Sequence, residues 1–134
     1  MTLNNSINDA IIRIKNGYRA KKYTIVINKS TLCLKILEIL RKEGYIRGFK
    51  IKKYSIIVML KYFNDKPGIK DIIYYSPLNL NSTVSFEQLN ELYYNTRKRT
   101  NGLTLNILST SSGILSDYTC LNNKLGGKLL LMII

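Results

Sequence analysis

The chain has 134 residues, 46% of them hydrophobic, enough to fold as one domain or as two small ones. Lysine and arginine outnumber the acids 21 to 8, a net charge of +13, and so basic a balance attracts polyanions: RNA, DNA or an anionic membrane. Histidine is absent and Cys33 and Cys120 lack Cys-x-x-Cys spacing, so neither a zinc site nor a disulfide framework is indicated and no cofactor is expected.

Asn4, Asn5 or Ser6 can cap a first helix whose apolar positions Leu3, Ile7, Ile11 and Ile14 recur at three- and four-residue steps, with Gly17 as its expected end. Arg13 and Lys15 lean away from that stripe and join Arg19, Lys21 and Lys22 in a basic cluster. A solvated helix end would account for them; the charge excess of the whole chain favours phosphate contact. Residues 23–27 are rich in β-branched side chains and read as a strand. Ser30 caps a second helix with Leu32, Ile36, Leu37, Ile39 and Leu40 on a broad apolar face, and Gly44 closes it. Cys33 falls on this helix as a small buried hydrophobe, which suits a reducing compartment. Residues 45–51 and 54–62 are two strands joined at Lys52-Lys53 as an antiparallel hairpin. Helix, strand, helix, strand, strand makes a small α/β unit over residues 1–64.

Asn64-Asp65-Lys66-Pro67-Gly68 concentrates structure breakers after an apolar strand and is the expected division, with a β-rich unit over 65–134. Residues 69–75 read as a strand stopped by Pro77, and 79–82 as a loop. Ser85-Phe86-Glu87-Gln88 is a capping box that opens a short helix through Leu89, Leu92 and Tyr93. Arg97-Lys98-Arg99 follows, either as a solvated turn before Asn101-Gly102 or as a phosphate clamp. A strand over 103–108 then runs into four hydroxyl residues, Ser109-Thr110-Ser111-Ser112, turns at Gly113 and meets Ser116-Asp117, an N-cap signal for a helix over 117–125. We expect a polar strand-to-helix loop here, suited to sugar hydroxyls, phosphates and base edges. Residues 128–134 form a closing strand. Residues 129–134 are the longest apolar run, far too short to span a bilayer. The whole is expected to be an α+β protein of two small domains.

Residues 107–117, followed by Leu125-Gly126-Gly127 and a terminal apolar strand, closely resemble the C-terminal signature of the small-subunit ribosomal protein eight family. Ile7-Asn8-Asp9-Ala10-Ile11-Ile12-Arg13-Ile14-Lys15-Asn16-Gly17, then residues 36–49, then Leu60-Lys61-Tyr62 agree with its N-terminal half in order and spacing. The likeness covers nearly the whole chain, thinning between about 65 and 100. It implies a non-catalytic protein of the small ribosomal subunit that binds the central domain of small-subunit rRNA early in assembly and lies beside other ribosomal proteins. The Ser-Thr-Ser-x-Gly loop, carried over to Ser109, Thr110, Ser111 and Gly113, would make the central contacts. Ser112 stands where the family usually has lysine or arginine, and Lys128 where it usually has glutamate. The family's Arg-Pro-Gly segment is reduced to Ser76-Pro77-Leu78.

The candidate RNA-binding set is therefore Ser109, Thr110, Ser111, Ser112, Gly113 and Lys128, with Arg13, Lys15, Arg19, Lys21, Lys22, Arg97, Lys98 and Arg99 supplying charge. No catalytic or metal-binding residue is expected. The alternative, an enzyme that cradles a substrate phosphate on residues 109–113, lacks both a Walker-type lysine and a general base. Abundant Lys, Asn, Ile and Tyr beside only two alanines suggests AT-rich coding and hence an organellar or AT-rich bacterial gene. The expected place is a mitochondrial ribosome in the matrix, with a plastid or bacterial cytoplasm as alternatives. The first helix is basic and amphipathic like a presequence, but the resemblance accounts for it as a structural helix, so no cleaved segment is expected.

Overall fold

Helix α1 (Leu3–Arg19) buries Ile7, Ala10, Ile11, Ile14 and Tyr18, the stripe that its apolar spacing traces. The computed structural model containing it describes the backbone of residues 3–75, 83–100 and 104–134, and the side chains of 6–75, 83–95 and 104–134. Gly17 does not end α1. A Cβ there would lie 2.5 Å from Ile25 Cγ2, so the glycine lets the helix close on the adjacent strand. The helix ends instead at Lys21, left-handed at φ 55°, with the Lys21 N–H donating to Tyr18 O and the Lys22 N–H to Gly17 O, a Schellman cap without glycine.

The chain divides into two compact units, Met1–Asp71 and Ile72–Ile134. In the first, β1 (Thr24–Asn28), β2 (Ile46–Ile51) and β3 (Ser55–Leu60) form an antiparallel sheet in the order β1-β3-β2. Ile25, Ile27, Ile56, Val58 and Leu60 are buried, and α1 and α2 (Thr31–Lys42) pack on the sheet. Ser30 caps α2 as expected, its hydroxyl accepting from the Cys33 N–H, and Gly44 follows the helix at φ 84°. The breakers at 64–68 form a second hairpin. β4 (Tyr62–Phe63) and β5 (Lys66–Pro67) pair across Asn64 and Asp65, both left-handed as a type I′ turn requires. Gly68 then donates to Lys61 O, and Lys15 pairs with Asp71 at 3.2 Å, so the first unit runs on to Asp71.

The second unit is an antiparallel sheet of β6 (Ile72–Tyr74), β10 (Gly127–Ile133), β8 (Leu105–Thr110) and β9 (Gly113–Ser116) in that order, with β7 (Thr83–Val84) also on β10. Helices α3 (Phe86–Thr100) and α4 (Asp117–Asn122) cover one face around Leu89, Leu108, Cys120 and Leu129. A register shift between Leu129 and Leu131 sets Leu129 opposite Leu108 but Leu131 opposite Ile107 and Ile133 opposite Leu105, so β10 contributes to both faces. The result is the expected α+β fold. The capping box is real: the Ser85 N–H donates to Gln88 Oε1 at 2.9 Å and the Gln88 N–H to Ser85 Oγ at 3.3 Å. The helix it opens is longer than the short one expected. No glycine or proline interrupts 86–100, so Arg97-Lys98-Arg99 stands in the last turns of α3 rather than in a turn. The expectations at 76–82 and 101–103 lie outside the described residues.

Candidate nucleic-acid interface

The hydroxyl-rich stretch is a β-hairpin. β8 and β9 pair with Ile107 opposite Ser116, Ser109 opposite Ile114 and Thr110 opposite Gly113, leaving Ser111 and Ser112 at the tip. The expected strand-to-helix loop is thus corrected: residues 113–116 return as a strand, and α4 begins only at Asp117. Alternation explains it, because Leu115 opposite Leu108 gives the return segment an apolar side facing the core. Neither Ser111 nor Ser112 has positive φ; the left-handed residue is Gly113 at φ 107°, as in hairpins where a type I turn precedes a left-handed glycine. A Cβ on Gly113 would meet nothing within 4 Å, so glycine is required for backbone conformation and not for space.

The four hydroxyls have different surroundings. Thr110 Oγ1 donates to Gly113 O at 2.9 Å and accepts from the Ser112 N–H at 3.1 Å, which closes the turn. Its methyl group neighbours Gly127, where a Cβ would lie 3.0 Å from Thr110 Cγ2 and 2.5 Å from Ser109 O. Ser111 and Ser112 are exposed and Ser109 half-buried, and none of their hydroxyls bonds to a described residue. Lys128 stands opposite Ser109 on one side and Thr83 on the other. Directly opposed side chains share a sheet face about 5 Å apart. A row of Thr83, Lys128, Ser109 and Ile114 therefore crosses four strands beside the serine tip.

The base of the hairpin is held from below. The Asp117 carboxylate, 1% exposed, accepts from the Asn106 N–H and the Asn106 side-chain amide, both at 3.3 Å to Oδ2, and from the Tyr118 N–H at 2.7 Å to Oδ1. Pairing of β8 with β9 ends at Ile107, so the carboxylate occupies the place of the next strand residue for Asn106. Asn106 Oδ1 is buried without a hydrogen-bond partner. Ser116 caps α4, its hydroxyl accepting from the Thr119 N–H at 3.3 Å.

The first unit carries its own basic group. Arg13 Nε pairs with Asp9 at 3.1 Å and its Nη1 donates to Val26 O at 3.0 Å, while Lys15 is held by Asp71. These side chains are oriented by neighbours, although exposed ion pairs of this kind contribute little stability. Arg19, Lys21 and Lys22 are exposed and form no ion pair among the described residues. The side chains of Arg97, Lys98 and Arg99 lie outside the described residues. Burial raises the Cys33 thiol and pushes Cys120 up to about 11, which leaves both protonated and unreactive at neutral pH. Among the described residues no group of three or more acids and cysteines is placed to hold a metal ion.

A family model described as Ribosomal protein S8 matches residues 5–134. The chain belongs to that family. The match runs through the 65–100 region where the likeness in sequence was thinnest. The chain is 37% identical over 128 residues to the small ribosomal subunit protein uS8m of Acanthamoeba castellanii, spanning 95% of this chain and 97% of that relative. It is 36% identical over 137 residues to the uS8 protein of Nitrosomonas europaea, spanning 99% of each, and 33% identical over 135 residues to that of Paramagnetospirillum magneticum, spanning 97% of each. Family membership points to a structural, non-enzymatic role.

Sequence reasoning named the serines and Lys128 but not their shared face, nor Thr83 and Ile114 in the same row. It also missed the Asn106–Asp117 brace. Ser116-Asp117 signals a helix start, but nothing local says that the aspartate turns inward to a residue 11 positions earlier.

Proposed function

We propose that this protein is a structural constituent of the small ribosomal subunit that binds the central domain of small-subunit rRNA through its serine hairpin, early in assembly and next to other ribosomal proteins. The observation that carries the reading is the hairpin itself: Ser109, Ser111 and Ser112, whose hydroxyls bond to no described residue, with Lys128 opposite Ser109, at one end of an antiparallel sheet in a chain with charge +13. Hydroxyl groups on a rigid support suit the shallow minor groove and 2′-hydroxyls of an RNA helix, or splayed base edges, and the cations supply the salt-dependent attraction. The phosphate-cradling enzyme is less well supported, because the Ser112 N–H already bonds to Thr110. A mitochondrial ribosome is the favoured location, supported by the likeness to a uS8m protein and the AT-type composition.

The test is binding at fixed near-physiological salt to the central-domain stem of the protein's own small-subunit rRNA, against a scrambled duplex of equal length. Selective binding that Ser109→Ala with Ser111→Ala weakens by roughly 1–3 kcal/mol supports the reading. Equal weak binding to both RNAs would leave only charge at work. Neutralising Arg97, Lys98 and Arg99 should flatten the salt dependence by about one log-slope unit for each phosphate that is no longer neutralised.

A further inference from the structure

The first unit has an aromatic series that runs from its core to its surface, and the fold alone does not need the outermost member. Tyr18 is buried, its hydroxyl donating to Tyr45 O at 3.2 Å and accepting from the Lys61 N–H at 3.3 Å. The Tyr62 ring meets it edge-on at 5.4 Å between centroids, and Tyr23 meets Tyr62 edge-on at 6.0 Å. Tyr62 is fixed by its hydroxyl, which donates to Lys22 O at 2.7 Å. Tyr23 is fixed at its backbone, where its carbonyl accepts from the Leu60 N–H at 2.8 Å. The residue is nevertheless 73% exposed. Whichever of the two rings presents its edge in this T-shaped contact, it leaves at least one face of the Tyr23 ring uncovered.

Its neighbours are cations. Arg19, Lys21 and Lys22 precede it on the turn that caps α1, all exposed, and no acid occurs between Arg19 and Lys29. The left-handed Lys21 fixes the path of this turn. An exposed aromatic face inside a purely basic segment fits a polyanion that also offers a flat apolar ring. A nucleic-acid strand combines those two properties, and only an unpaired base has a face to offer, since paired bases are stacked on their neighbours. We propose that Tyr23 is a stacking platform for an unpaired base of an RNA strand, with the phosphates on either side of that base held by Arg19, Lys21 and Lys22. The proposal rests on the RNA-binding reading and adds a second contact, in the other unit, of a different chemical kind from the hydroxyl hairpin.

The test uses the whole chain and two single-stranded probes, an octamer of riboadenylate and an octamer of abasic ribose phosphates that has the charges without the bases. The wild type should prefer oligoadenylate, and Tyr23→Leu should lose about 5- to 150-fold of affinity for it, the range of one base–aromatic stack. Tyr23→Phe should retain the preference. Because stacking releases no counterions, the salt dependence should be the same in wild type and Tyr23→Leu, whereas Lys21→Gln with Lys22→Gln should flatten it for both probes. Quenching of 2-aminopurine in a mixed octamer by the wild-type protein reports stacking without any variant. Oligoadenylate binding by Tyr23→Leu equal to wild type, or no preference between the probes in the wild type, overturns the platform. Failure to select the central-domain stem would instead sink the ribosomal reading, and the octamer result would stand apart from it.

Discussion

Replacing Asp117 by alanine should cost more than any change at the serine tip it supports. The carboxylate is 1% exposed and accepts two donors from Asn106, one of them a backbone N–H that has no β9 residue to pair with. Truncation leaves both donors buried and unpaired, at about 1–3 kcal/mol each. The expected loss is therefore roughly 2–6 kcal/mol. At about 2.1 cal/mol/K of unfolding entropy per residue, a loss in the middle of that range lowers the melting temperature by on the order of 10 °C for a chain of this size. Asp117→Asn keeps one acceptor oxygen for the Asn106 donors but turns its NH2 toward the Tyr118 N–H, so it should lose less than Asp117→Ala without matching the wild type. The assay is thermal unfolding followed by far-UV circular dichroism, with Asn106→Ala as the second arm of a double-mutant cycle. Part of the loss should disappear in the Asn106→Ala background, where the orphaned side-chain amide is absent, giving a coupling energy of about 1 kcal/mol or more. If Asp117→Ala melts within 1–2 °C of the wild type, the carboxylate is not a brace and the account of the hairpin base is wrong.

Three further outcomes follow from the same geometry. Gly113→Ala should destabilise the protein by about 1–2 kcal/mol, since only the φ of 107° opposes a side chain there, and should weaken stem-RNA binding by displacing the serine tip; an unchanged melting curve would contradict the turn assignment. Lys21→Gly should raise stability by about 0.5–1 kcal/mol, because glycine takes the left-handed cap position without strain, while removing one charge lowers the salt dependence of RNA binding; lower stability would refute the cap. Tyr18 is pushed by burial to about 12 against an ordinary value of 10, so it stays neutral in the fold while the unfolded chain ionises. Its stabilising effect is complete below pH 10 and is lost as pH rises through 12, and Tyr18→Phe should flatten the fall in stability over that window in denaturant titrations.

The helices of the first unit and the capping box were readable because each depends on residues within about one turn of one another. Ser30, Gly44 and the Ser85/Gln88 pair satisfy their own helix ends, and the apolar spacing of 7, 11 and 14 reports one buried face. Gly17 was misread because the same residue that ends a helix can also let it touch a strand, and the contact with Ile25 is 8 positions away. The left-handed cap fell instead to Lys21, a residue with no local preference for it. Gly113 was rightly marked as a turn, but its flanking residues read equally as loop until Leu115 was paired with Leu108.

What the sequence by itself determined is the family, the class of partner suggested by a charge of +13, and the chemistry of the serine tip, all of which depend on residue identity and order along the chain. Only the tertiary structure decided that the tip is a hairpin, that Lys128 and Thr83 share the row of Ser109, and that Asp117 faces inward to Asn106. Each of those is a pairing between separate segments. Strand register and buried hydrogen bonding are chosen by how the whole sheet closes over its core, so no local run of residues encodes them.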